Sequence, residues 1–264
     1  MTVAWFLREA LKKQHVECRL VYSKDIPTVT VPYADHTLVT SAIAMKAMRK
    51  DPEYRERVRG STKGKLTVYL DAAYAYWDGI FDRVFTVVEP FGKSSKKYVY
   101  AGWGADPQYC YPDQGPRAVF VDSLMYGFYG GRFDHVYELI DTVLVELSWR
   151  VPLQIYCPFP DYHNRKVMTW LEVQQILRRC HFYMCTQDGE GGLTRIEAAT
   201  CGALLVVPKP LYRHRTMGSL EHAIWTSKEE LRQILKSNTD PDAISRKARA
   251  HTWDKVASRI LAEL

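Results

Sequence analysis

Apolar residues recur along this chain in two rhythms, a spacing of three to four residues and short unbroken runs, and the two alternate. Residues 3–14 follow the first rhythm and predict a helix, and 16–22 (VECRLVY) alternates as a strand would. Residues 36–50 place Leu38, Ala42, Met45 and Met48 on one side of a second helix. KLTVYL (65–70) and RVFTVV (83–88) are compact apolar runs and predict strands. Residues 108–117, rich in Pro, Gly and Asp, break the rhythm and predict a linker.

The pattern is sharper beyond the linker. AVFVDS (118–123), VPLQIYC (151–157), FYMC (182–185) and ALLVVP (203–208) read as buried strands. Between the first two, Asp134 to about Trp149 carries Val136, Ile140, Val143, Leu144 and Leu147 at helical spacing. Thr169-Trp170-Leu171-Glu172 and Ser227-Lys228-Glu229-Glu230 are capping boxes that open helices to about Cys180 and Lys236. A short helix from about Leu193 to Thr200 ends at Gly202, and Asp240-Pro241 opens the last helix with proline in its first turn. Strand and helix in this alternation predict an α/β fold with parallel sheets flanked by helices.

A length of 264 residues suits one large domain or two small ones. No run of about 18 apolar residues occurs, so no membrane-spanning helix is expected. The start, MTVAWFLREALKKQ, is amphipathic and lacks the apolar stretch of a secretion signal. The six cysteines (Cys18, Cys110, Cys157, Cys180, Cys185, Cys201) form no C-x-x-C, which predicts reduced, buried thiols in a cytoplasmic protein. Cys180 and Cys185 flank His181, but nothing nearby completes a zinc set, so no metal is expected. Net charge is +6, with 17 basic against 13 acidic residues up to position 115 and 19 against 17 after it. That mild excess suits an anionic small ligand and permits nucleic acid. Eight basic residues between Lys46 and Lys65, against Asp51, Glu53 and Glu56, read as a solvated helix face and loop.

The stretch Cys185-Thr-Gln-Asp-Gly-Glu-Gly-Gly-Leu-Thr-Arg-Ile-Glu-Ala-Ala-Thr-Cys-Gly202 carries the candidate chemistry. It reads as a strand end, a tight loop and a helix start, at the edge of a parallel sheet where ligands bind. Gly191 and Gly192 let the backbone approach a ligand closely, and the open N–H groups of Leu193 and Thr194 can hold a phosphate. Glu197 lies one turn inside, placed to accept hydrogen bonds from sugar hydroxyls. On these residues alone an ordinary strand–helix turn and a phosphate-binding one are both open.

This segment, G-E-G-G-L-T-R-I-E-A-A-T-C-G-A-L-L-V-V-P, resembles the donor motif of retaining GT-B glycosyltransferases (glycosyltransferase group 1), roughly E-G-F-G-L-T-x-x-E-A-M-A-C-G-x-P-V-V. Asp82-Arg-Val-Phe-Thr-Val followed by Gly102-Trp-Gly-Ala-Asp-Pro-Gln-Tyr-Cys-Tyr-Pro112 resembles the family's strand and its N-G-V-D-P-x-x-F-x-P linker. Thr252-Trp253-Asp-Lys-Val-Ala-Ser-Arg-Ile-Leu261 is similar to its last helix, F-S-W-x-x-V-A-x-x-x-L. The matches come in the family's order and span residues 80–264.

The resemblance implies a GT-B-like fold of two Rossmann-like domains. Residues 1–115 would form a reduced acceptor-side domain, 116–240 the donor domain, and 241–264 a helix packing back on the first. It implies hexosyl transfer with retention from a nucleotide diphosphate sugar, UDP-sugar foremost, with no metal or prosthetic group. Glu197 would bind the ribose, Gly191, Gly192, Leu193 and Thr194 the sugar and diphosphate, and Val167 and Met168 the base.

The chain also departs from the pattern. The family's first glutamate falls on Gly189, between Asp188 and Glu190, and Glu190 is taken to replace it. The family's G-R and K-G pairs, which grip the diphosphate, are reduced to Arg132, with Arg213 and Arg215 as further candidates. The first half is short: the family's opening strand and glycine-rich loop are absent before residues 3–14. His36, after Asp35, and Asp71 are the remaining catalytic candidates, and Tyr74, Tyr76 and Trp77 the acceptor candidates. The acceptor is a hydroxymethylated DNA base, read by phosphate contacts and stacking, or else a glycan or lipid. The competing reading is a non-catalytic sugar-nucleotide-binding module that has lost the first glutamate.

Overall fold

The structure, a computed structural model, describes residues 3–21, 31–40, 42–70, 79–87, 97–121, 142–147, 154–156, 169–185, 192–212 and 218–264. They form two compact units, Met1–Trp103 with Trp253–Leu264, and Gly104–Thr252.

The first unit holds a parallel sheet in the order β1-β2-β3-β4, from Thr37–Val39, Leu66–Leu70, Arg83–Thr86 and Tyr98–Tyr100. Helices α1 (Val3–Lys13), α2 (Ala42–Lys50) and α3 (Pro52–Gly60) accompany it. Helix α3 starts where it does because Asp51 Oδ1 accepts the Tyr54 N–H at 2.9 Å and Pro52 occupies the first turn. Its buried Tyr54 and Val58 join Met48, Leu66, Val68, Phe81 and Val84 in one core. Asp82 Oδ2 accepts the Leu66 N–H at 2.7 Å and also meets Arg59, tying α3 to the start of β2.

Two expectations for this half are corrected. Residues 16–21 form no strand: among the described residues no strand pairs with them, and Val21 is exposed. Residues 36–50 are not one helix. Thr37-Leu38-Val39 pairs with β2 instead, a β-branched start overriding the helical spacing, and the helix begins at Ala42.

The second unit holds a five-stranded parallel sheet in the order β6-β5-β7-β8-β9. The strands are β5 (Ala118–Val121), β6 (Gln154–Tyr156), β7 (Phe182–Met184), β8 (Leu204–Pro208) and β9 (His222–Trp225). Residues 142–147 are helical, followed in sequence by α4 (Trp170–Leu177), α5 (Leu193–Thr200), α6 (Lys228–Lys236) and α7 (Pro241–Ala248). Every residue of β5 and β7 is buried, as in a sheet covered on both faces. Phe120 and Tyr183, paired in register, stack with ring centroids 5.6 Å apart. Val119, Val121, Leu144, Phe182, Met184, Val206, Trp225 and Leu231 make the core.

Helices α5 and α7 pack together, and Ser245 Oγ donates to the Thr200 carbonyl at 2.7 Å. Gly202 ends α5 with φ +90°, and a Cβ there would lie 2.7 Å from both Pro241 Cβ and the Pro241 carbonyl oxygen. Gly202→Ala is therefore expected to destabilise the second unit by about 2 kcal/mol, from left-handed strain and overpacking together. Urea denaturation measures it, and an unchanged midpoint would mean that the α5–α7 contact yields freely.

After α7 the chain leaves the second unit, and α8 (Trp253–Leu261) joins the first, packing on α1. The single helix expected from Asp240 onward is thus two, broken at residues 249–252. Among the described residues no helix is long and apolar enough to cross a membrane.

Candidate functional site

Strand β7 runs out through Cys185, whose N–H bonds to the Val206 carbonyl at 2.9 Å. Residues 186–191 follow, outside the described set, and Gly192 then opens α5. This is the carboxyl edge of a parallel sheet, where a helix start faces outward. Gly192 is extended and gives α5 no side-chain cap, and the first turn carries no acidic residue. The amide groups of Leu193 and Thr194 thus open the helix with no cap or carboxylate of that turn competing for them. An eight-residue helix with this start suits an anion.

Glu197 is set one turn further, in a helix whose residues Arg195 to Thr200 are all buried. It is 3% exposed. The indole Nε1 of Trp170, the first residue of α4, donates to Glu197 Oε1 at 3.0 Å. Gln174, on the same face of α4, lies beside it, and its own Oε1 accepts from Cys110 Sγ at 3.2 Å. Burial pushes the Glu197 carboxyl up from 4.5 to about 7, opposed by the side chains of Trp170 and then Gln174. Hydrogen bonding with Cys201, with burial second, pushes the Cys110 thiol up, so it stays protonated and donates. The second unit thus holds a buried carboxyl group on α5, bonded by the Trp170 indole of α4 with Gln174 beside it, one turn from an uncapped helix start.

The structure brings together Gly192, Leu193, Thr194 and Glu197 of the sequence candidates. His36 is placed elsewhere, at the amino end of β1, where its exposed ring accepts the Lys65 N–H at Nδ1, 3.1 Å away. That contact holds a turn, and the amino end is the edge of a parallel sheet opposite to the one where ligands bind. Gly189, Glu190, Gly191, Arg132, Val167, Met168, Asp71, Tyr74, Tyr76, Trp77, Arg213 and Arg215 lie outside the described residues. Trp170, Gln174 and Cys110 are candidate site residues around Glu197 that sequence reasoning missed. The available signal was the i, i+4 spacing of Trp170 and Gln174, which puts both on one face of the capped helix.

A cavity of about 310 Å³ lies elsewhere in the second unit, among Asp113, Gly115, Arg178, Arg179, His181 and Pro241, and no candidate site residue lines it. Among the described residues no three His, Cys, Asp or Glu side chains gather as a metal set.

No sequence-family model matches the chain. No curated protein matches it either. Among solved structures it is similar to Anabaena Alr3699/HepE in complex with UDP-glucose, with a TM-score of 0.53 and 13% identity over 86% of this chain and 79% of that one. It also matches AviGT4, a glycosyltransferase involved in avilamycin A biosynthesis (TM-score 0.47, 12% identity, 81% of this chain and 77% of that one). A third match is the spinosyn rhamnosyltransferase SpnG (TM-score 0.45, 12% identity, 86% and 72%). At such identities likeness speaks to fold, and the first match, reaching across both units, carries that argument. With its two parallel sheets flanked by helices, the chain has the GT-B-like α/β fold of glycosyltransferases.

Proposed function

We propose that the chain is a glycosyltransferase that moves a hexosyl group, with retention, from a nucleotide diphosphate sugar to an acceptor hydroxyl. The observation that supports it best is the pairing of an uncapped helix start at Gly192 with a buried, indole-bound Glu197 one turn inside. The Glu197 carboxylate accepts the ribose hydroxyls, and the Leu193 and Thr194 amides face the diphosphate. In the reaction the bond from the sugar's anomeric carbon to the diphosphate breaks, a bond to the acceptor oxygen forms on the same face, and the acceptor's hydroxyl proton passes to the departing diphosphate. Negative charge builds on the departing diphosphate. The helix start, with Arg132, Arg213 and Arg215, is our assignment for stabilising it. Glu190 and Asp71 are assigned to orient the sugar and the acceptor, and Val167 and Met168 to hold the base. The donor is a UDP-sugar, a reading encouraged by the UDP-glucose held by the structurally similar HepE.

The acceptor is a glycan or lipid hydroxyl rather than a DNA base. Of the basic residues from Lys46 to Lys65, Arg59 is paired with Asp82, Lys63 with Asp35 and Arg55 with Glu56. Arg57 lies over the Tyr54 ring and Lys65 reaches the Glu263 carbonyl, which leaves a thin cationic face for a phosphate backbone.

Calorimetric titration with UDP, GDP, ADP and their sugars tests the donor assignment. UDP-glucose is expected to bind the protein and to fail with Glu197→Ala. Binding of none of them would reduce the reading to one of fold, and binding without turnover or hydrolysis would make the chain a sugar-nucleotide-binding module. Duplex DNA in the same assay is expected to bind weakly. Tight binding that falls steeply with salt would overturn the acceptor assignment.

A further inference from the structure

We propose that Trp170 and Gln174 are positioning residues of the donor site, holding the Glu197 carboxylate in the one orientation that meets the ribose hydroxyls. The inference rests on Glu197 as the ribose ligand and goes beyond it by assigning what controls that ligand. Helix α4 is fixed at its start by a reciprocal cap: the Thr169 N–H donates to Glu172 Oε2 at 2.7 Å, and the Glu172 N–H to Thr169 Oγ1 at 3.3 Å. Trp170 follows directly, braced edge-on by the Tyr109 ring at 5.2 Å, so its indole has one direction in which to donate. That direction is Glu197 Oε1.

Gln174 is fully buried, and its amide has two ways round. In the structure the amide oxygen faces Cys110 Sγ, 3.2 Å away, which turns the amide nitrogen away from the thiol. That nitrogen makes no close hydrogen bond among the described residues. An indole N–H can only donate, and an amide nitrogen can only donate. Glu197 is therefore bonded by the indole and flanked by the Gln174 amide, two groups that favour its carboxylate form against the burial that opposes it. A ribose diol, which must donate to the same group, needs that form too.

On α4, Glu172 is engaged in its own cap and Arg178 Nε donates to the Tyr109 carbonyl. On α7, Asp242, Arg246 and Lys247 are exposed, and β8 carries no ionisable side chain. On α5 itself Arg195 is buried and Cys201 ends the helix, and the loop before β5 brings Cys110 and Tyr109 to the face of α4. With Glu197 titrating at about 7, donor affinity of the wild type falls as pH drops through that value, because the protonated form no longer accepts both hydroxyls.

The test pairs Trp170→Phe, which removes the donor and keeps a ring against Tyr109, with Gln174→Met, which removes the amide at similar volume. Two quantities are read: the Glu197 side-chain titration in the ligand-free protein by carbon NMR, and UDP-glucose affinity between pH 5.5 and 8.5. In each variant the midpoint should rise by about one pH unit, and affinity at pH 7 should fall about fivefold, as the ionised fraction drops from about a half to about a tenth. The loss should shrink toward pH 8.5, where the carboxylate is restored. A loss equal at every pH would mean a merely structural role and would overturn the proposal, as would unchanged midpoints. If the midpoints rise and neither wild type nor variant binds a nucleotide, the donor reading falls while the contact stands. If wild type binds and both variants match it, the donor reading stands and this inference falls.

Discussion

Glu197→Gln is expected to stabilise the second unit while costing about 100-fold in UDP-glucose affinity. The affinity term follows from losing charge at an acceptor of two ribose hydroxyls, since a hydrogen bond to a charged group contributes about 1.5–3 kcal/mol. The stability term follows from burial. A carboxyl lifted from 4.5 to about 7 in the folded state binds its proton more tightly there than in the unfolded chain. Below pH 4.5 both states are protonated and nothing is lost. Between 4.5 and 7 the unfolded chain ionises first and stability drains away, and above 7 the full penalty, about 3 kcal/mol, is present. Glutamine has no such proton, and its amide oxygen still accepts the Trp170 N–H. The variant should therefore exceed wild type by up to about 3 kcal/mol at pH 8, with the gain largely gone at pH 5. Urea denaturation at the two pH values measures it. A variant no more stable at pH 8, or one that binds the donor normally, would remove the case for a carboxylate kept there for its ligand.

Trp253→Ala is expected to cost the first unit about 3–5 kcal/mol, the usual penalty for emptying an indole-sized space in a core. Trp253 is 3% exposed. Its ring stacks on Phe6 with centroids 5.7 Å apart, and meets Trp103 at 6.3 Å and Tyr69 at 6.4 Å. Tyr69 is itself fixed, its hydroxyl donating to the Gly102 carbonyl at 2.5 Å. Removing Trp253 thus strips one partner from each of three rings and loosens α8 from α1. The melting transition of this unit should fall by about 10–20 °C. Hydrogen exchange locates the loss: amides of β2 and β3 should lose protection while those of β7 and β8 keep theirs. A drop under about 1 kcal/mol, or one shared equally by both units, would show that α8 is not held by this cluster.

Much of the second unit was legible because its signals are local. Helix α5 was read at Leu193–Thr200, its limits in the structure, from a glycine loop before it and Gly202 after it, and α4 from the Thr169–Glu172 box. Where reading failed, distant partners decided. Residues 16–21 have the alternation of a strand but, among the described residues, no neighbour to pair with, and Thr37–Val39 became a strand because β2 lies beside it. Strands β4 and β9 are only partly buried and lack the fully buried apolar run that marked the equally short β7 and β5. The site follows the same division. Glu197 stood out from its motif, but the indole that holds it comes from 27 positions earlier, and only folding makes them neighbours.

The first unit is assembled from two stretches, Met1–Trp103 and Trp253–Leu264, whereas Gly104–Thr252 is continuous. On a ribosome, where synthesis proceeds at about 5–20 residues per second, that ordering has a kinetic consequence. The intervening unit is complete in sequence before α8, the helix that packs on α1, has been translated. During that interval Phe6, Tyr69 and Trp103 await the ring that covers them. Nascent chains stalled before Trp253 should thus carry a finished second unit beside an unfinished, aggregation-prone first one, and this protein would mature from its middle outward.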